Sequence, residues 1–159
     1  MIDPDTKLTP HFTLREMTAS KSHPETYNVP PFDAVENLMN VCQWLEKLRD
    51  AYNRRYAQEE EPIVVSSGYR SKMLNYAVGG VKDSNHLTGC AADIRCRDGE
   101  QAMRYATLLI DLFREAGRQW DEIIVEKKRS TRFWLHFAVK PETNRYTPNR
   151  CKVTVIELK

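Results

Sequence analysis

From residue 31 to residue 56 the chain returns apolar side chains at three- and four-residue steps: Val35, Leu38, Cys42, Leu45, Leu48 and Tyr52. This spacing gathers them into one stripe along a helix of about seven turns. So long a stripe has to be covered by a second layer, which the rest of the chain must supply. Short apolar runs at 63–65, 123–125, 133–139 and 153–158 read as strands, the middle two as a hairpin. Asp98 is an N-cap signal for a second long helix reaching about Ala116. Ala102, Met103, Ala106, Leu109, Ile110 and Phe113 form its expected core face, and Gly117 its stop. Thr13 and Glu16 have the spacing of a capping box, and residues 71–78 allow one or two turns halted by Gly79-Gly80. Helices come first and strands follow with one more helix. That order predicts an α+β fold, a small and mostly antiparallel sheet flanked by helices.

A chain of 159 residues fits one domain, taken here as 1–159. With 41% hydrophobic and 29% charged residues it has the composition of an ordinary globular protein. The net charge of +2 and the scattered basic residues argue against a nucleic-acid binder, which needs a basic excess or stripe. Lys127-Lys128-Arg129 is the one basic run and reads as a solvated turn. No segment has the apolar length of a membrane span, so no membrane insertion is expected. Residues 1–12 are polar, unlike a secretion signal. The expectation is cytoplasmic synthesis of a monomer. Cys42, Cys90, Cys96 and Cys151 lack CxxC spacing and are expected free and reduced; Cys90 and Cys96 flank Asp93, but packing is the commoner role of such a thiol.

The chemistry concentrates in Ser84-Asn85-His86-Leu87-Thr88-Gly89-Cys90-Ala91-Ala92-Asp93-Ile94. A histidine and a carboxylate seven positions apart cannot share one face of a regular strand, because side chains alternate. They converge if the chain bends between them, and Thr88-Gly89 supplies a bend. An imidazole nitrogen and a carboxylate oxygen are two of the three protein ligands a catalytic zinc takes. The spacing alone leaves open, and by itself favours, the plainer reading of His86 as a loop residue and Asp93 as a turn or cap. His136 lies within the apolar run 133–139, where a lone histidine is commonly a satisfied core residue; His11 and His23 have no acid at useful spacing and read as surface or cap residues.

The surrounding motifs change the weighing. Ser67-Gly68-Tyr69-Arg70-Ser71, Leu74-Asn75, Val78-Gly79-Gly80, then Ser84-x-His86-x-x-Gly89-x-Ala91-x-Asp93-Ile94, follow one another in order. Asp121-x-Ile123-Ile124-x-Glu126 and Trp134-x-His136 come later. Together, over about residues 11–140, these resemble the M15 family of zinc D-Ala-D-Ala carboxypeptidases and related phage endopeptidases. The resemblance implies a Hedgehog/DD-peptidase-like fold and Zn2+ held by His86, Asp93 and His136. It also implies a peptidoglycan stem peptide as substrate and action on the cell wall after release, as in a phage or prophage lysin. Arg70 is implied to bind a substrate carboxylate, which its bidentate guanidinium suits. Ser84 and Tyr69 are weaker candidates for a substrate hydrogen bond and a pocket wall, while Asn75 and Gly79-Gly80 shape the loop.

One position departs from the pattern. Many relatives place Asp or Glu three residues before the last zinc histidine, and here that residue is Phe133. Glu126 is the remaining acid. A three-residue hairpin loop at 130–132 would set Glu126 directly opposite His136, on the same face. Without such an acid the protein would be a non-catalytic zinc-binding module that recognises wall peptide or a protein partner, as in the Hedgehog domains that resemble the family.

Overall fold

The computed structural model describes residues 3–129 and 131–158. Near the N-terminus, β1 (Lys7–Thr9) and β2 (Phe12–Thr13) form a small antiparallel ribbon that the sequence did not announce. Thr13 then opens α1 (Leu14–Thr18) with the expected capping box: its hydroxyl accepts from Glu16 N–H, and the Glu16 carboxylate accepts from Thr13 N–H at 2.9 Å. The long stripe is α2 (Phe32–Tyr56), begun at Pro31, and all six stripe residues are buried.

The main sheet contains β3 (Val65–Ser67), β4 (Ala91–Cys96), β5 (Glu122–Lys128), β6 (Arg132–Ala138) and β7 (Lys152–Leu158). Its order is β3-β4-β6-β5-β7, antiparallel throughout except that β7 lies parallel to β5. The first strand of this sheet pairs two residues later than the apolar run 63–65 suggests, because Ile63 itself turns into the core and the ladder is bulged beside Val65. Two more helices complete the layer, α3 (Lys72–Ala77), capped by Ser71, and α4 (Gly99–Glu115), capped by Asp98. Met103 corrects the expected core face of α4. It is 49% exposed, while Tyr105 and Leu108 take the inward positions.

Alternation sorts the sheet into two faces. Ala92, Ile94, Ile123, Val125, Leu135 and Phe137 turn toward α2 and α4 and are buried. Trp44 of α2 stacks on Phe113 of α4, ring centroids 3.7 Å apart. Removing one fully buried leucine of this core, such as Leu45, costs about 2–5 kcal/mol. The other face carries Asp93, His136, Ile124, Glu122 and Glu126. Between β6 and β7, residues 139–151 form a strap: Val139 N–H donates to Cys90 O at 2.9 Å, the Tyr146 hydroxyl accepts from Asn37 Nδ2 of α2 at 2.6 Å, and Cys151 N–H donates to Trp120 O at 2.9 Å. All four cysteines are free thiols. Among the described residues no helix is long and apolar enough to cross a membrane.

The β5–β6 hairpin has a register two positions from the expected one. Lys128 pairs with Arg132, so the loop is 129–131, with Arg129 in the left-handed region (φ 51°); Ser130 lies outside the described residues. Glu126 therefore stands opposite Trp134, and Ile124 opposite His136. A slip of two preserves the face, so Glu126 and His136 still share one side of the sheet.

Candidate functional site

His86 sits on a short 3-10 helix, Asn85–Thr88, whose N-cap is Ser84: the Ser84 hydroxyl accepts from His86 N–H at 3.3 Å. The helix ends at Gly89, φ 73°, where a Cβ would collide with the Ala34 carbonyl of α2. This is the bend that lets residues seven apart converge, and it is open only to glycine. Asp93 lies on β4 and is the direct ladder partner of His136 on β6. Ligand atoms of His86, Asp93 and His136 all lie within 4.8 Å of one another, and neither Cys90 nor Cys96 belongs to the group. Cys96 shares the core-facing side with Ile94, and Cys90 is fully buried.

The hydrogen bonds around these three side chains settle where their lone pairs point. Gly68 O can only accept, so His86 Nδ1, 2.6 Å away, carries the proton and Nε2 presents a lone pair 3.3 Å from Asp93 Oδ1. His136 Nε2 is 3.1 Å from Glu122 Oε2. Glu122 is held at about 2 chiefly by that bond, against burial and with help from Arg150 and Lys152, so it is ionised and accepts. His136 Nδ1 therefore faces Asp93 Oδ1, at 2.9 Å. Neutral rings would thus aim two nitrogen lone pairs at one carboxylate oxygen. Either an extra proton or a cation resolves the clash. Burial opposes the proton on His136, but Asp93 and Glu122 draw it in and raise the ring to about 9. Burial likewise pushes the Asp93 carboxyl up, yet the two imidazoles outweigh it and hold Asp93 low. A tetrahedral zinc with bonds of ~2.1 Å sets its donors roughly 3.4 Å apart, so this N2O set fits the ion. His136, with a carboxylate on its far nitrogen, has the outer support typical of such ligands.

Arg70 reaches the same cluster by an unexpected route. Its Nη2 donates to Asp93 Oδ2 at 2.7 Å and its Nε to Ser67 Oγ at 2.9 Å, so it braces a member of the set. Tyr69 is buried in the core and is not among the residues lining the neighbouring cleft, and its backbone is tied to Met17 and Asn28. Ser84 does line that cleft of about 960 Å³, together with Asn85, Glu122, Ile124, Glu126 and His136 and with Lys140, Thr147, Asn149, Arg150 and Lys152. Phe133 turns to the opposite face from His136 and packs on the core. Glu126 is half-buried in the cleft wall. Burial first, and the charge of Asp93 second, raise its carboxyl, against the pull of His136, Trp134 and Arg70.

Sequence reading gave no role to Glu122, Asp121, Asn85 or Arg150. Asp121 is fully buried and accepts from Arg150 Nε and Nη2 at 3.0 and 2.7 Å and from Asn85 Nδ2 at 2.8 Å. Glu122 could have been found by parity, since 122, 124 and 126 share the face that carries Glu126.

The sequence profile of the peptidase M15 family matches residues 10–120. The chain belongs to the peptidase M15 family. The matched segment of this M15 chain holds Arg70, Ser84, His86 and Asp93, and ends before Glu122, Glu126 and His136, whose placement comes from β5 and β6. A solved structure titled Serratia marcescens L-Ala D-Glu endopeptidase ChiX aligns at 25% identity over 69% of this M15 chain and 87% of that one, with a TM-score of 0.39. A search of curated proteins finds no match.

Proposed function

We propose that the protein is a zinc-dependent peptidase that hydrolyses peptidoglycan stem peptides, as a D-Ala-D-Ala carboxypeptidase or a murein endopeptidase. The observation that carries this reading is the convergence of two imidazole lone pairs and a carboxylate beside a cleft whose wall holds a second, destabilised carboxylate. His86 Nε2, Asp93 Oδ1 and His136 Nδ1 would hold the ion. Bound there, zinc would supply a Lewis acid for the scissile carbonyl and lower the pKa of a water from 15.7 toward about 7. Glu126 takes a proton from the attacking water and returns it to the leaving amine, a role suited to a carboxyl raised above its ordinary value. Arg70, 15% exposed and set beside the cleft rather than in its lining, holds Asp93 in place, and its Nη1, which has no partner among the described residues, is the group proposed for a substrate carboxylate that comes close to the candidate metal site. Ser84 lines the approach and caps the turn that carries His86. The setting proposed is a phage or prophage lysin or a wall-remodelling enzyme.

A non-catalytic zinc module is the second reading, favoured by the apolar Phe133. Metal analysis of the purified protein and mass spectrometry of muropeptides from a peptidoglycan digest separate the two. One zinc per chain and new peptide ends are expected. Zinc without any cleavage would leave the binding module, and a protein that retains no zinc would sink both.

A further inference from the structure

We propose that Arg150, with Lys152 beside it, recognises a carboxylate of the substrate on the β5–β7 side of the cleft. The inference rests on the peptidase reading above and names the peptides that site selects: those with a free carboxylate near the scissile bond.

Sheet order places the two guanidinium groups on opposite flanks. Arg70 follows β3 and bonds Asp93 on β4, whereas Arg150 precedes β7 and bonds Asp121 and Glu122 at the start of β5; His136 on β6 lies between them. Arg70 has a side chain only 15% exposed and does not line the cleft. Arg150 lines it with a side chain 52% exposed. Its Nε and Nη2 are gripped by buried Asp121, and Nη2 also lies 2.9 Å from Glu122 Oε1. Nη1 has no partner among the described residues. The guanidinium is thus held rigid by two carboxylates with Nη1 left over as donor, which spares a ligand much of the cost of ordering it. Lys152, 47% exposed, stands 3.5 Å from the same Glu122 oxygen, and Lys140, braced by Asp121 and Thr147, lines the cleft as well. Arg150, Lys152 and Lys140 share the carboxylates of Asp121 and Glu122, three cations against two anions, and Glu122 also serves His136 through its other oxygen, so positive charge is left over for a ligand. A single carboxylate, Glu122, separates the Arg150 guanidinium from the His136 imidazole. The recognised group therefore lies on the order of two extended residues from the reacting carbonyl.

The test uses zinc-loaded full-length protein and two probes, a muropeptide with free carboxylates and the same muropeptide with them converted to carboxamides. The parent should prefer the acid form. In Arg150→Gln that preference, read as the ratio of the two kcat/KM values, should fall about tenfold or more, through KM. Because Arg150 also neutralises Asp121, the double variant Asp121→Asn/Arg150→Gln is measured beside it, removing fork and buried charge together; the same collapse of the ratio is expected. A merely structural role would lower both substrates alike and leave the ratio intact, which would overturn the proposal. If the parent cuts neither probe, the peptidase reading fails on its own. Calorimetric affinities of the two muropeptides for parent and variant then decide, and equal affinities for acid and amide in the parent would overturn the carboxylate site.

Discussion

Gly68→Ala tests how far the candidate metal ligands depend on two backbone segments passing unusually close. A Cβ at position 68 would lie 3.0 Å from both the Cα and the carbonyl carbon of Met17 and would overlap its carbonyl oxygen. These are backbone atoms at the end of α1, so no side chain can swing aside. Restoring ordinary contacts needs a separation on the order of 1 Å. The same movement draws Gly68 O away from His86 Nδ1, now 2.6 Å distant, and Tyr69 N–H off Met17 O, now 2.8 Å. Overpacking of this kind costs about 1–3 kcal/mol, and a lost buried hydrogen bond adds about 1 kcal/mol. For a domain of this length the total corresponds to a fall of roughly 4–16 °C in Tm. Loss of the carbonyl that orients His86 should also weaken zinc binding about 10–100-fold. Scanning calorimetry of the metal-free protein reads the first effect, and competition against a chromophoric chelator the second. A variant with parental Tm and parental zinc affinity would refute the reasoning.

Glu126→Gln should cut kcat by about 10²–10⁴ while zinc affinity holds. The raised Glu126 carboxyl favours the folded state while protonated, and that contribution is lost as pH rises through its folded pKa. The variant should therefore melt higher than the parent at neutral pH without metal; a lower Tm would place Glu126 in a stabilising contact instead. Asp121, held at about 2 by Arg150, Asn85 and Lys140 despite its burial, has the opposite sign: its stabilisation is complete above the ordinary 3.8 and fades as pH falls toward 2. Asp121→Asn should cost about 2–4 kcal/mol at neutral pH, reduced by the exposure of Arg150, and should flatten the acid limb of urea-melt stability against pH. Glu122→Ala frees the far nitrogen of His136 and should lower zinc affinity about 10–100-fold, with a changed His136 tautomer by nitrogen NMR. Arg70→Lys keeps the charge but cannot serve Ser67 and Asp93 together, so zinc affinity should drop about tenfold; unchanged affinity with a raised KM would assign Arg70 to substrate alone.

Local physics made much of this fold readable in the sequence. The caps at Thr13 and Asp98, the α2 stripe and the bend at Gly89 each depend on a few neighbouring residues. What escaped depends on distant partners. Nothing near residues 152–158 says that this strand will lie parallel to β5, because the choice is made by the strap that carries it past β6. The hairpin register turned on one loop residue, and the error left Glu126 on the correct face because alternation has a period of two. Met103 fell on the wrong side of α4 because the helix rotates its inward face toward Tyr105 and Leu108. Glu122 went unread because its partner, His136, is known only once β5 and β6 are aligned.

The three candidate ligands also bear on kinetics. Asp93 and His136 are separated by 43 residues and meet only when β4 pairs with β6, while His86 joins only when its turn docks on Gly68. The β5–β6 hairpin, which carries His136, can close first, through its short loop, without the other two. An ion held by all three therefore engages late, after the costly long-range closure has been made. Contacts absent from the transition state slow unfolding and leave the folding rate nearly untouched. Such a late clasp would lengthen the lifetime of the native state without hastening its birth.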